Sequence, residues 1–146
     1  VPFNESWGVP DLAEKATHRS AVQALYHLTK TLDPTRPCVG NDGWESSATD
    51  IIGIHDYDNH PGRLRERYGP PMSVSDILSK RIPAGRMVVV EGYADLNQPI
   101  LLTEFGGIAY TDRDHVPVAN AWGYTVSNSA RELRRQYCAL VSAVHS

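Results

Sequence analysis

The chain has 146 residues, with 14 basic and 17 acidic side chains and a net charge of −3. That length suits one domain, and so mild a charge excludes the basic surface that nucleic acid or an anionic membrane would select. At 41% hydrophobic and 21% charged residues the composition is globular rather than disordered, and no apolar run approaches the ~18 residues that span a bilayer.

In chain order, residues 1–10 read as a strand end or loop rich in Pro and Gly. Residues 17–33 read as an amphipathic helix, because Val22, Leu25, Leu28, Thr29 and Leu32 recur at three- and four-residue spacings. Asp33-Pro34 ends it, since proline cannot continue a helix. Three short apolar runs follow: Pro37-Cys38-Val39-Gly40, Asp50-Ile51-Ile52-Gly53-Ile54 and Pro99-Ile100-Leu101-Leu102-Thr103. Runs without polar alternation suit parallel strands buried on both faces. Each passes straight into polar residues, at the end of a parallel strand where active sites are built. Those residues are Asn41-Asp42-Gly43, His55-Asp56-Tyr57-Asp58 and Glu104-Phe105-Gly106-Gly107.

Ser75 to Lys80 reads as a short helix. Met87 to Val90 is a further apolar run, but only Glu91 to Pro99 separates it from Ile100. That is too short for a helical crossover, so a side hairpin or an extended lead-in is expected there. The last segment is a helix with Leu133, Tyr137, Leu140, Val141 and Val144 in a stripe. Ser127 or Ser129 can cap it, and Ser129 with Glu132 matches a capping box. Cys38 and Cys138 lie in apolar-leaning segments and read as two buried free thiols. The element pattern is α/β.

Two carboxylates stand out. Asn4-Glu5-Ser6-Trp7 sets an acid beside an amide and an indole, a grouping suited to a sugar: proton transfer, hydroxyl binding and ring stacking. Glu104 follows an apolar strand, where a charge is paired in a structural ion pair, solvated in a cleft or functional. Two such groups about 5–5.5 Å apart perform glycoside hydrolysis with retention, and at a wider separation that admits a water, with inversion. His55, Asp56, Asp58 and His60 form a rival constellation for a metal-dependent hydrolase. A continuous strand would place Asp56, Asp58 and His60 on one side of it, although Pro61-Gly62 argues against strand there. Trp7, Trp44 and Trp122 are either satellite core or sugar platforms. Arg63, Arg65 and Arg67 read as a solvated helix or loop face.

On these motifs the chain resembles the catalytic barrel of glycoside hydrolase family 2, the β-galactosidase, β-glucuronidase and β-mannosidase type. Pro2 to Trp7 resembles the end of barrel strand four, Arg36 to Asp42 strand five, Asp50 to Tyr57 strand six and Pro99 to Gly107 strand seven. The resemblance implies a partial (β/α)8 TIM barrel, from the end of strand four through the helix after strand seven. Residues 1–146 would form a single fragment of that barrel, inactive alone. It also implies Glu5 as acid/base, Glu104 as nucleophile, Asn4 on the sugar 2-hydroxyl and Tyr57 bonded to the nucleophile. Substrate contacts are expected from Asn4, Trp7, Asn41, Trp44, His55, Asp56, Tyr57 and Trp122. A carbohydrate is the expected partner, with no cofactor, metal, nucleic acid or membrane. An open half barrel is expected to self-associate through its edges. A non-catalytic carbohydrate-binding scaffold is the further alternative. No basic-then-apolar leader precedes the first motif, and a cytoplasmic location is the corresponding expectation.

Overall fold

The structure is a computed structural model that describes residues 1–81, 85–93, 97–111 and 122–145. It divides into two compact units: Val1–Asp56 with Val74–Thr103, and Tyr57–Ser73 with Glu104–Ser146. Among the described residues no helix is long and apolar enough to cross a membrane.

In the first unit, β1 (Phe3–Asn4) pairs in parallel with β2 (Asn41–Asp42), with Phe3 opposite Asn41 and Asn4 opposite Asp42. Between them in the chain lies α1 (Ala16–Leu32), the helical crossover that a parallel pair requires. Next come β3 (Ile52–Asp56), α3 (Val74–Ser79) and β4 (Ile100–Phe105). β3 pairs with β4. Ile52 N donates to Pro99 O at 2.9 Å and Thr103 Oγ1 to Ile54 O at 3.4 Å, so the contacts advance the same way along both strands. The core gathers Val9, Leu12, Val22 and Val90, flanked by Phe3 and Tyr93.

Several expectations change here. β3 is buried at every residue, as a strand covered on both faces should be, but Leu101 on β4 is 48% exposed. Pro37 to Gly40 forms no strand, and the ladder begins only at Asn41. The cause lies in its amides: Cys38 N donates to Asp50 Oδ2 and Gly40 N to Thr49 Oγ1, so side chains take the bonds a neighbouring strand would. Met87 to Val90 is extended, within the expectation of a side hairpin or an extended lead-in. It exchanges backbone bonds with Glu45 and Ser46 and bridges Arg81.

The rotation of α1 is the largest correction. Of the expected apolar face only Val22 is buried, while Leu25, Leu28 and Leu32 are exposed. Polar anchors set the rotation instead. Arg19 Nη1 donates to the carbonyls of Leu12 and Ala13, and Gln23 Nε2 to Tyr93 Oη. Tyr26 Oη and Lys30 Nζ both donate to the Asp50 carboxylate, at 2.6 and 2.9 Å. Burial works to raise the Asp50 pKa, but the Tyr26, Lys30 and Cys38 donors outweigh it and hold it below its ordinary value. The same bond to Asp50 pushes the Tyr26 phenol up to about 12.

In the second unit, α2 (Pro61–Tyr68) packs on α4 (Ala130–Val144) through Leu64, Leu140 and Ala143, with Tyr68, Phe105, Ile108 and Val144 around them. Proline at the first turn of α2 costs no hydrogen bond, because that amide has no helical partner. β5 (Ile108–Tyr110) and β6 (Thr125–Ser127) form a parallel pair, Ile108 opposite Thr125. Ser129 caps α4, its Oγ accepting from Glu132 N at 3.2 Å. The reciprocal arm reaches one residue further back, Glu132 Oε2 accepting from Asn128 N. Ser127 is buried in β6 and donates to Gln136 Oε1. Tyr137 is exposed, so the buried stripe of α4 runs through Leu140 and Ala143 instead. Cys38 is a buried free thiol as expected, but Cys138 is exposed on α4.

Asp50→Asn removes the acceptor charge shared by Tyr26, Lys30 and Cys38, and is expected to cost about 1–3 kcal/mol, read as a lower thermal midpoint. Because the folded carboxyl titrates below its ordinary value, its contribution is full above about pH 4 and fades as pH falls through the folded pKa. The wild-type and variant midpoints are therefore expected to converge in acid.

Candidate functional site

In the first unit the candidate chemistry gathers where β1, β2 and β3 end. Glu5 follows β1, and its amide donates to Asp42 O at 2.9 Å. Both Glu5 (φ 51°) and Ser6 (φ 56°) take the left-handed backbone that L side chains rarely adopt. Asn41 holds this turn. Its Oδ1 accepts from Ser6 N at 2.9 Å, and its Nδ2 donates to Ser6 Oγ and to Trp44 O at 3.1 and 2.7 Å. Asn41 is fully buried, and both amide protons are committed internally. It is a scaffold residue, not the substrate contact expected of it.

The turn points Glu5 at His55. His55 Nδ1 and Glu5 Oε1 are 2.8 Å apart, with the imidazole fully enclosed and the Glu5 side chain 17% exposed. Across the ring, Nε2 lies 3.6 Å from Asp42 Oδ1, an electrostatic contact rather than a full hydrogen bond. Asp42 Oδ1 also accepts from Thr103 Oγ1 at 2.8 Å. Burial alone would raise the Asp42 pKa, but attraction to His55 and the Thr103 bond hold it below its ordinary value. The Trp44 ring meets the imidazole edge-on at 6.0 Å. His55 thus acts on Glu5, and direct substrate contact is not what its burial provides. Asp56 is likewise fully buried. Asn4 and Trp7 are exposed beside the turn, as a substrate contact requires.

In the second unit Tyr57 Oη donates to Glu104 Oε2 at 2.6 Å. The Tyr57 ring stacks on Tyr124 (4.8 Å, 16°), and Trp122 meets Tyr124 at 5.8 Å in an edge arrangement. Trp122 is 78% exposed, which suits a platform better than a core residue. Gly106 (φ +82°) closes the turn after β4, where a Cβ would lie 2.6 Å from Leu140 Cδ1.

The rival metal constellation loses its geometry here. β3 ends at Asp56, so strand alternation does not extend to Asp58 and His60. Asp58 is clamped by Arg63 at 2.6 and 2.7 Å and by Arg67 at 2.7 Å. The Arg63 bonds foremost hold its carboxyl well below the usual range. His60 precedes α2, and its amide donates to Asp58 Oδ1. A carboxylate so occupied is an anchor for a helix start, not a vacant ligand.

Sequence reasoning passed over Asp42, Thr103, Tyr124 and Arg86. Asp42 lies in the polar stretch that follows the Pro37–Gly40 run and Thr103 closes the run before Glu104, so the strand-end signal could have marked both as site residues. Tyr124 and Arg86 carry no comparable sign. A glycine directly backs the imidazole: Gly43 has φ +102°, and a Cβ there would lie 2.8 Å from His55 Nδ1. Gly43→Ala therefore both strains the backbone and displaces the ring. A loss of about 2 kcal/mol or more is expected in denaturant melts, together with altered imidazole nitrogen shifts for His55 by NMR.

No family model and no curated protein matches the chain.

Proposed function

We propose that this chain carries the catalytic carboxylates of a retaining β-glycosidase resembling glycoside hydrolase family 2, on part of a (β/α)8 barrel. The observation that carries the reading is the 2.6 Å bond from Tyr57 Oη to Glu104 Oε2. That is the contact the resemblance assigns to the strand-six tyrosine and the nucleophile. The His55–Glu5 pair gives independent support, since an acid/base must be held in one orientation and reach a proton partner.

In the first step a Glu104 oxygen attacks the anomeric carbon, and the bond from that carbon to the leaving oxygen breaks. Glu5 gives its proton to the departing oxygen. In the second step Glu5 takes a proton from water, whose oxygen attacks the same carbon and releases Glu104. Tyr57 orients the Glu104 carboxylate for attack, and Tyr57 is itself fixed by stacking on Tyr124. Asn4 is the residue for the sugar 2-hydroxyl. Trp7 and Trp122 offer exposed rings for apolar sugar faces. The chemistry needs no cofactor.

The test uses the full-length enzyme with the complete barrel, because the 146-residue fragment is expected to be inactive alone, and activated aryl β-glycosides. Glu104→Gly is expected to abolish turnover, and azide is expected to restore it by entering the vacated space and forming a glycosyl azide. Failure of azide to rescue overturns the nucleophile assignment. Glu5→Gln and Glu104→Gln variants that keep full function would favour the sugar-binding scaffold instead. Tyr57→Phe is expected to lower kcat about ten- to a hundredfold, the size of one hydrogen bond to a charged group.

A further inference from the structure

The His55 imidazole of the first unit stands between two carboxylates. Glu5 Oε1 lies 2.8 Å from Nδ1 and Asp42 Oδ1 3.6 Å from Nε2, with the imidazole fully enclosed and the Asp42 side chain 14% exposed. Two glycines leave room for this row. A Cβ on Gly53 in β3 would fall on Asp42 Oδ1, and one on Gly43 would lie 2.8 Å from His55 Nδ1, nearer than real Cβ atoms come. The Asp42 carboxylate thus occupies space that a side chain at residue 53 would take. Thr103 Oγ1 donates to Asp42 Oδ1 at 2.8 Å and tethers it there. Burial works to raise the Asp42 pKa, but the His55 and Thr103 bonds outweigh it, so the group is ionised at neutral pH.

We propose that Asp42 is a positioning residue: it keeps the ring proton of His55 on Nε2, which leaves Nδ1 to share a second proton with Glu5. The proposal deepens the glycosidase reading and rests on Glu5 as the acid/base. Its physical basis is the charge on the far side of the ring. A bare Nε2 would aim its lone pair at a carboxylate, whereas an N–H there aims its positive end at it. With Nε2 protonated, a neutral imidazole offers Nδ1 only as an acceptor. The 2.8 Å contact to Glu5 then requires one more proton. Either the Glu5 carboxylic acid donates it to Nδ1, or it has passed over to leave imidazolium beside carboxylate. The two forms differ only in which partner holds that proton, and the pair carries no net charge in either. The acid proton is therefore in place before the glycosidic bond breaks. Once it has gone to the leaving oxygen, a Glu5 carboxylate oxygen faces the lone pair of Nδ1. That repulsion favours uptake of a proton from the attacking water in the second step. Asp42 acts in both steps through His55.

The proton positions are read by NMR. This chain, labelled with ¹⁵N at histidine, is expected to show His55 Nε2 protonated at neutral pH. Asp42→Asn keeps the shape and removes the charge. An amide can face Nε2 with its oxygen or its NH₂, so the single form is expected to give way to a mixture that includes bare Nε2. Thr103→Val leaves the carboxylate untethered and is expected to move the signals the same way by less. It also covers the case in which Asp42→Asn fails to fold. In the full-length enzyme, Asp42→Asn is expected to lower kcat/KM about tenfold or more for glycosides with poor leaving groups, which need the acid proton. Activated aryl glycosides, which do not need it, are expected to lose far less. A bare Nε2 in the wild-type chain overturns the proposal. So does an Nε2 proton that neither variant disturbs, or an equal loss on both classes of glycoside. An Asp42-dependent Nε2 proton in an enzyme whose Glu104→Gly form azide cannot rescue would uphold the action of Asp42 on His55 while the glycosidase reading falls. Azide rescue together with a bare Nε2 would remove the role of Asp42 alone.

Discussion

The His55 imidazole binds the first unit's site together. It is enclosed by protein, with Glu5 at 2.8 Å on one ring nitrogen and Asp42 at 3.6 Å on the other. A polar ring placed in an apolar interior is costly unless its nitrogens meet polar groups. Here the same contacts that offset that cost also place Glu5. Segments from three parts of the chain are tied by it: the turn after β1, the end of β2 and β3 itself. Thr103 extends the line to β4 through its bond to Asp42. Removing either carboxylate would leave a buried ring short of a partner, so structure and chemistry are linked at this point.

The turn that carries Glu5 is strained, and the strain has a visible counterweight. Left-handed backbone at Glu5 and Ser6 is unfavourable for residues with a Cβ. Asn41 spends its carbonyl and both amide protons on that turn and on Trp44. Glu45 adds a bond from Ser6 Oγ. A buried amide fully satisfied in this way holds a conformation that the local sequence would not choose. It also explains why Asn41, which looks from its place after an apolar run like a ligand contact, is unavailable as one.

What could be read from the sequence follows the kind of physics involved. Glu104 and Tyr57 were conspicuous as polar residues directly after apolar runs, and Glu5 as an acid beside an amide and an indole, while the Tyr57–Glu104 bond was expected only from the resemblance. The first and last helices were legible from their punctuation, Pro34 following α1 and Ser129 capping α4, whereas α2 was not, its arginines reading equally as loop or helix. The rotation of α1 was not legible. Apolar periodicity weighs Leu25, Leu28 and Leu32, whereas the helix is turned by Arg19, Gln23, Tyr26 and Lys30 reaching particular acceptors. Two of those partners, Asp50 and Tyr93, come from distant chain, and no local pattern reports them. β5 and β6 were missed for a related reason. Three residues each is too few to show a period, and their pairing depends on partners that are not neighbours in sequence. Left-handed φ at Glu5 and Glu45 is equally hidden, since nothing in those side chains announces it.

The two carboxylates differ in surroundings, and the difference matches the division of labour proposed for them. Glu5 is largely enclosed and set against a ring that can exchange a proton with it. Glu104 is exposed and receives a hydroxyl donor from a tyrosine that is itself braced by stacking. An acid/base must change protonation state twice in a cycle, and a partner able to pass a proton serves that need. A nucleophile must instead present one oxygen in a fixed direction, and a donor that grips the carboxylate serves that one. Carboxylates of the same chemical type acquire separate tasks through their environments. In this chain the environment of each is built by neighbouring side chains: Asn41 and Asp42 around Glu5 and His55, Tyr124 against Tyr57 beside Glu104.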